Sequence, residues 1–129
     1  MTNKILLIDD DADVLDILQL KFKSAGYDVV TAGAGLDGLN AVYQKSPNLI
    51  VLDLTLPQLD GFQVCRILKF DDRYKHIPII MLTGRTDDKN IKLGLKCGAN
   101  KYLGKPFDPD NVLNEVKQLL ENKDKPNPK

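Results

Sequence analysis

The sequence predicts an α/β fold: a doubly wound parallel sheet with helices on both faces. Short, unbroken apolar runs recur along the chain, KILLI (4–8), LIVL (49–52) and PIIML (78–82), and continuous rather than alternating runs suit strands buried on both sides. Between them lie segments whose apolar residues return at helical spacing. The two signals alternate as βαβαβαβαβα, which implies right-handed crossovers between parallel strands.

The first strand, 4–8, runs straight into aspartates. The first helix carries the stripe Val14, Leu15, Leu18, Phe22 and Ala25, and Gly26 supplies its stop. Residues 27–32 read as the second strand, and Leu36, Leu39, Val42 and Tyr43 as the stripe of the second helix. The third strand, 49–52, leads into Asp53, and Val64, Cys65, Ile67 and Leu68 mark the third helix. The fourth strand, 78–82, ends at Thr83. Helix 87–97 is expected to be the weakest, because Gly94 interrupts it and its apolar face is thin. Residues 101–103 form the fifth strand. The last helix is the clearest: Asp108 can cap it, Pro109 fits its first position, and Val112, Leu113, Val116, Leu119 and Leu120 line one face. Segment 122–129 (NKDKPNPK) is polar and proline-bearing, so it is expected as a disordered tail or a linker after one domain over 1–121.

Composition narrows the function classes. Eighteen basic residues balance eighteen acidic ones, so direct nucleic-acid binding through a broad basic surface is not expected of this chain. No apolar run approaches the ~20 residues of a membrane span, and the opening MTNKILLIDD meets aspartates too soon for a signal peptide. The expected location is the cytoplasm. Cys65 and Cys97 sit in separate apolar segments without a CxxC spacing and read as reduced core residues. A single histidine, His76, excludes a His-rich metal site.

In open α/β sheets ligands gather beyond the carboxyl ends of the strands. Those ends hold Asp9 and Asp10, Asp53, Thr83 and Lys105, contributed by four strands. Each residue has a simpler local role open to it. Asp10 or Asp11 could cap the first helix, Asp53 could be a turn residue before Pro57, and Thr83 could cap the next helix. Lys105-Pro106 could be an ordinary turn, and Tyr102 a core ring. Their convergence on one sheet edge argues for more. Three crowded carboxylates resist full ionisation without a cation, and Mg²⁺ prefers such oxygen ligands while keeping positions for water or phosphate oxygens. A carboxylate beside such a metal and a lysine is set up to attack a phosphoryl group.

The motifs IDDD (8–11), LDLTLPQLDG (52–61), MLTG (81–84) and KPF (105–107) together resemble the receiver domains of two-component response regulators, over residues 4 to about 121. The resemblance implies a flavodoxin-like sheet of order 2-1-3-4-5, like that of the chemotaxis regulators. It implies phosphorylation of Asp53 by a sensor histidine kinase or a phosphotransfer protein. Mg²⁺ would be held by Asp10, Asp53 and the backbone carbonyl of Thr55, with Asp9 assisting through water. Lys105, followed by a cis bond to Pro106, would contact the phosphoryl group. Thr83 and the backbone N–H of Gly84 would donate to its oxygens, and Tyr102 would be the aromatic switch residue. A downstream output protein or domain is implied as partner, with the chain a monomer or a phosphorylation-dependent dimer. It would be no enzyme beyond its own phosphorylation and dephosphorylation. Two departures are Gly84 and Gly38, each where alanine is usual; the second is expected to cost ~1 kcal/mol of helix propensity.

Two other functions use similar parts. A phosphohydrolase of the haloacid dehalogenase type needs a second aspartate two residues after the first, and here Thr55 stands there. A flavodoxin-like electron carrier needs a phosphate-cradling first loop, and DDDAD (9–13) would repel phosphate.

Overall fold

The computed structural model of the chain describes residues 2–124. Its elements are β1 (Lys4–Ile8), α1 (Ala12–Ser24), β2 (Asp28–Ala32), α2 (Gly35–Lys45), β3 (Leu49–Leu52), α3 (Gly61–Lys69), β4 (Ile79–Thr83), α4 (Asp88–Lys96), β5 (Lys101–Gly104) and α5 (Pro109–Asp124). All strand pairs are parallel, in the order β2-β1-β3-β4-β5. The expected fold class and order are both found.

The three central strands are the three unbroken apolar runs, and they are almost wholly buried. Edge strands β2 and β5 are covered less completely and carry polar residues. Successive strand residues point to opposite faces, so the sheet has two cores. Ile5, Leu7, Val51, Ile80 and Leu82 pack with Val14, Leu18 and Phe22 of α1 and Val112 and Val116 of α5. Leu6, Ile8, Ile50, Leu52 and Met81 pack with Leu39 and Val42 of α2, and Val64, Cys65 and Leu68 of α3. Both cysteines lie in the second core and are free. Burial pushes the Cys65 thiol up to about 11 and the Cys97 thiol upward too, so neither is a ready thiolate.

Helix α2 corrects the sequence reading. Leu36 and Tyr43 were placed on its inner stripe, yet they are 47% and 43% exposed. Gly35, Gly38, Leu39 and Val42 face inward instead. Gly38 is there because the helix lies against Ile8, whose side chain an added Cβ would meet closely. Ile67 and Ala25, placed on the stripes of α3 and α1, also face solvent. Helix α4 is as thin as expected, with Gly94 its one buried residue. Helix α5 runs through Asn122 to Asp124, beyond the expected end of regular structure at 121; positions 125–129 of the expected tail lie outside the described residues. No described helix is long and apolar enough to cross a membrane.

Candidate functional site

The site forms where strand ladders run on past the strand ends. The N–H of Asp53 donates to Ile8 O at 2.9 Å, that of Asp9 to Ala32 O at 3.0 Å, and that of Lys105 to Thr83 O at 2.9 Å. These bonds fix where each functional residue leaves the sheet. Gly61, at the start of α3, comes so close to the Asp53 carbonyl and Leu54 Cα that no side chain fits. Its N–H closes the loop by donating to Leu54 O at 2.8 Å.

Asp9, Asp10 and Asp53 come together, each offering a carboxylate oxygen within 4.8 Å of the others. Asp9 and Asp53 are buried, at 4% and 7% exposure, while Asp10 is exposed. Lys105 Nζ donates to Asp9 Oδ2 at 2.7 Å and to Asp53 Oδ2 at 3.1 Å. The remaining oxygens of the buried pair accept backbone N–H groups, Asp9 Oδ1 from Asp11 at 2.9 Å and Asp53 Oδ1 from Thr55 at 3.3 Å. Among the described residues Asp10 accepts no such bond, and Asp11 rather than Asp10 caps α1.

The charge balance of this cluster is unequal. Burial holds the Asp9 carboxyl above the usual carboxylate range despite the Lys105 hydrogen bond, and the negative charge of Asp53 adds to that rise. Burial alone would push the Lys105 ammonium down, but the hydrogen bonds and charges of Asp9 and Asp53 outweigh it and raise it. Desolvation prevails at the deeper Asp9, and the two carboxylates prevail at Lys105, whose side chain retains more exposure. A lysine raised on folding adds stability below its ordinary range, and this contribution is lost only as pH rises through the raised value.

Thr83, at the end of β4, is buried, and its Oγ1 accepts the N–H of Arg85 at 3.3 Å. An open cleft of about 560 Å³ lies over Asp53, lined by Thr55, Thr83, Gly84, Arg85, Thr86 and Asp87. Tyr102, on β5, donates its hydroxyl to Arg85 O at 2.5 Å. Its ring lies against Gly94 of α4, where an added Cβ would stand 2.8 Å from the ring edge. The Lys105–Pro106 bond is cis. All residues expected at the site thus reach one end of the sheet, Tyr102 a step behind it.

The response regulator receiver domain family matches residues 5–117 of this sequence. The chain belongs to that family. It is 39% identical over 98% of its length to the DNA-binding response regulator MtrA of Mycobacterium tuberculosis, covering 54% of that protein. It is 41% identical over 93% of its length to the alkaline phosphatase synthesis transcriptional regulatory protein PhoP of Bacillus subtilis, covering 49% of it. The chain therefore spans about half the length of the curated relatives it matches. Among solved structures, the chemotaxis response regulator CheY4 of Vibrio cholerae superposes with a TM-score of 0.86 at 28% identity, over 92% of this chain and 99% of that one. A CheY-like receiver domain from Methanospirillum hungatei gives 0.89 at 28% identity, over 95% and 97%.

Receiver domains are signalling switches rather than enzymes with an external product, so family membership sets aside the phosphohydrolase and electron-carrier readings. The residues present suit a hard divalent cation. Three carboxylates supply only oxygen donors, one of them is buried and reluctant to ionise alone, and Asp10 has unengaged oxygens facing solvent. Two supports of the site were not drawn from the sequence. Asp60 caps α3 reciprocally with Gln63, its side chain accepting Gln63 N–H at 2.9 Å and the Gln63 side chain accepting Asp60 N–H at 3.0 Å. The D-x-x-Q spacing is the signal that could have found it. Gln58, with a positive φ of 73°, gives no such local signal.

Proposed function

We propose that this receiver domain, over residues 1–121, takes a phosphoryl group onto Asp53 from a sensor histidine kinase or a phosphotransfer protein, with Mg²⁺. The observation that carries this is the buried Asp53 carboxylate, bonded to Lys105, flanked by Asp9 and Asp10, and facing the open cleft. An Asp53 carboxylate oxygen forms the new bond to phosphorus as the bond to the donor's imidazole nitrogen breaks and the imidazole leaves with the electron pair. Lys105, bonded to Asp53, and the Thr83 hydroxyl and Gly84 N–H at the cleft would meet the phosphoryl oxygens. Asp10, Asp53 and the Thr55 carbonyl would hold Mg²⁺, with Asp9 assisting through water; the ion supplies positive charge against the phosphoryl oxygens. Incubation with acetyl phosphate and Mg²⁺ is expected to raise the intact mass by one phosphoryl group, and chelation to prevent it. Stoichiometric labelling at another residue would overturn the assignment.

The metal reading makes its own prediction. A ligand bound only by the native state stabilises by mass action, about 2.7 kcal/mol at a hundred times its dissociation constant. Asp10→Ala is expected to remove most of the Mg²⁺-dependent rise in melting temperature. Asp9→Ala should remove less, because the Asp9 oxygens already serve Lys105 and the Asp11 N–H. The opposite ranking in a thermal-shift titration would mean that the two roles are exchanged.

The output runs through Thr83 and Tyr102. Phosphorylation adds roughly −1.5 to −2 charges and three acceptor oxygens at Asp53. Thr83 turns toward them, and Tyr102 leaves the Arg85 carbonyl for the space behind it, changing the surface of α4, β5 and α5. Amide chemical shifts with and without beryllofluoride are expected to move across residues 87–102. Shifts confined to the loops around Asp10, Asp53 and Lys105 would remove the relay. In this reading the domain is cytoplasmic and acts on an output domain or partner. The chain makes no direct nucleic-acid contact, touches no membrane, and is a monomer or a phosphorylation-dependent dimer.

A further inference from the structure

We infer that Gln58 is a positioning residue that couples the start of α2 to the loop carrying Asp53 and Thr55; this rests on the metal-binding reading proposed above. The first amides of a helix have no intrahelical partners and need an outside acceptor. Helix α2 has none of its own, because its N-cap residue is Ala34 and no side-chain cap is made. Gln58 supplies one from across the fold. Its side-chain Oε1 accepts the N–H of Leu36 at 3.1 Å and that of Asp37 at 3.3 Å.

The backbone is arranged around this contact. Gln58 adopts a left-handed φ of 73°, a conformation glycine reaches at no steric cost. A glycine there would leave both amides unpaired. On either side, Gly35 N–H donates to Pro57 O at 3.0 Å and Leu59 N–H to the same oxygen at 2.9 Å. The Leu59 backbone packs so tightly on Gly35 that an added Cβ would overlap it. The first turn of α2 and residues 57–59 therefore move as one unit. The other end of the same loop is tied to the site, through the Thr55 N–H on Asp53 Oδ1 and the Gly61 N–H on Leu54 O. Gln58 stands three positions after Thr55.

An ion held by Asp53 and the Thr55 carbonyl fixes this loop, and the fixed loop presents the Gln58 acceptor to α2. Helix α2 thereby reads the state of the site by a route separate from Thr83 and Tyr102. Linkage requires the effect to be reciprocal: what Mg²⁺ does for the α2 amides, the cap does for Mg²⁺ affinity.

Hydrogen exchange of the Leu36 and Asp37 amides, with and without Mg²⁺, together with Mg²⁺ titration calorimetry on the full chain, tests the coupling. In the wild type, Mg²⁺ is expected to slow exchange at both amides. Gln58→Gly keeps the backbone conformation and is expected to lose that slowing and to bind Mg²⁺ about fivefold more weakly, equivalent to about 1 kcal/mol. Gln58→Glu is expected to restore both, since a carboxylate oxygen accepts the same amides and is favoured at a helix N-terminus. A cap with only a structural role would lower the melting temperature of Gln58→Gly and leave its Mg²⁺ affinity unchanged; that result overturns the inference. So does wild-type exchange at Leu36 and Asp37 that ignores Mg²⁺ while calorimetry shows it bound. If the wild type binds no Mg²⁺ at all, the reading of the metal site fails and the coupling falls with it.

Discussion

Asp53→Asn is expected to accept no phosphoryl group from acetyl phosphate while keeping the wild-type fold. The substitution changes almost nothing in shape. Asp53 now engages the Thr55 N–H and Lys105 Nζ through separate oxygens, and an asparagine carbonyl can still accept from one of those two donors. Lys105 also keeps its shorter bond to Asp9. What disappears is the anionic oxygen, and a neutral amide oxygen is too weak a nucleophile to displace a phosphoryl donor. The loss should therefore be complete rather than graded. Asp60→Asn is the matched control, because asparagine caps helices about as well as aspartate and Asp60 serves only to start α3. Intact mass after equal incubation decides the matter. Stoichiometric uptake by Asp53→Asn would place the acceptor elsewhere, and failure of both variants would point to a damaged loop rather than a lost nucleophile.

The parts of the molecule legible in the sequence are those where burial is complete. β1, β3 and β4 are covered on both faces, so their apolar runs are unbroken and their ends, with Asp9, Asp53 and Thr83, fall where the runs stop. The misreadings have a common cause. Apolar periodicity counts side chains, whereas α2 packs inward partly through two glycines, Gly38 against Ile8 of β1 and Gly35 against Leu59, which periodicity does not register. A stripe drawn through Leu36 and Tyr43 rotates that helix away from its true face. In the same way α4 looked weak because Gly94 interrupts its pattern, yet Gly94 is the point where the Tyr102 ring lies against the helix. Gln58 was illegible for a different reason: its cap joins residues 22 and 21 positions apart, and no local rule connects them. Charge chemistry, by contrast, needed only topology, since four strand ends suffice to bring three carboxylates, Thr83 and Lys105 together.

Glycine also sets the second large effect expected here. Gly61→Ala is expected to destabilise the fold by about 2–3 kcal/mol and to lower phosphoryl uptake with it. An added Cβ would press on the Asp53 carbonyl and stand 2.8 Å from Leu54 Cα. Both obstacles are backbone atoms, which cannot rotate aside as a flexible side chain would. Overpacking of this kind typically costs about 1–3 kcal/mol, and rigid neighbours place it toward the upper end. An opposing term exists, because alanine restricts the unfolded chain more than glycine, favouring the native state by about 0.4–1 kcal/mol. The clash is the larger of the two. Gly84→Ala separates them, since nothing lies within 4 Å of a Cβ there and its backbone is not left-handed. That variant should keep only the favourable term, gain slightly in stability, and retain the Gly84 N–H for the phosphoryl group. Urea unfolding at unchanged slope reads both signs directly. Because the Asp53 carbonyl is the atom displaced in Gly61→Ala, its side chain must shift against Lys105 and Asp9, so uptake should fall even in the fraction that stays folded. Equal stability of Gly61→Ala and wild type would show that the loop after Asp53 yields freely, and that the close approach of α3 does not hold the acceptor in place.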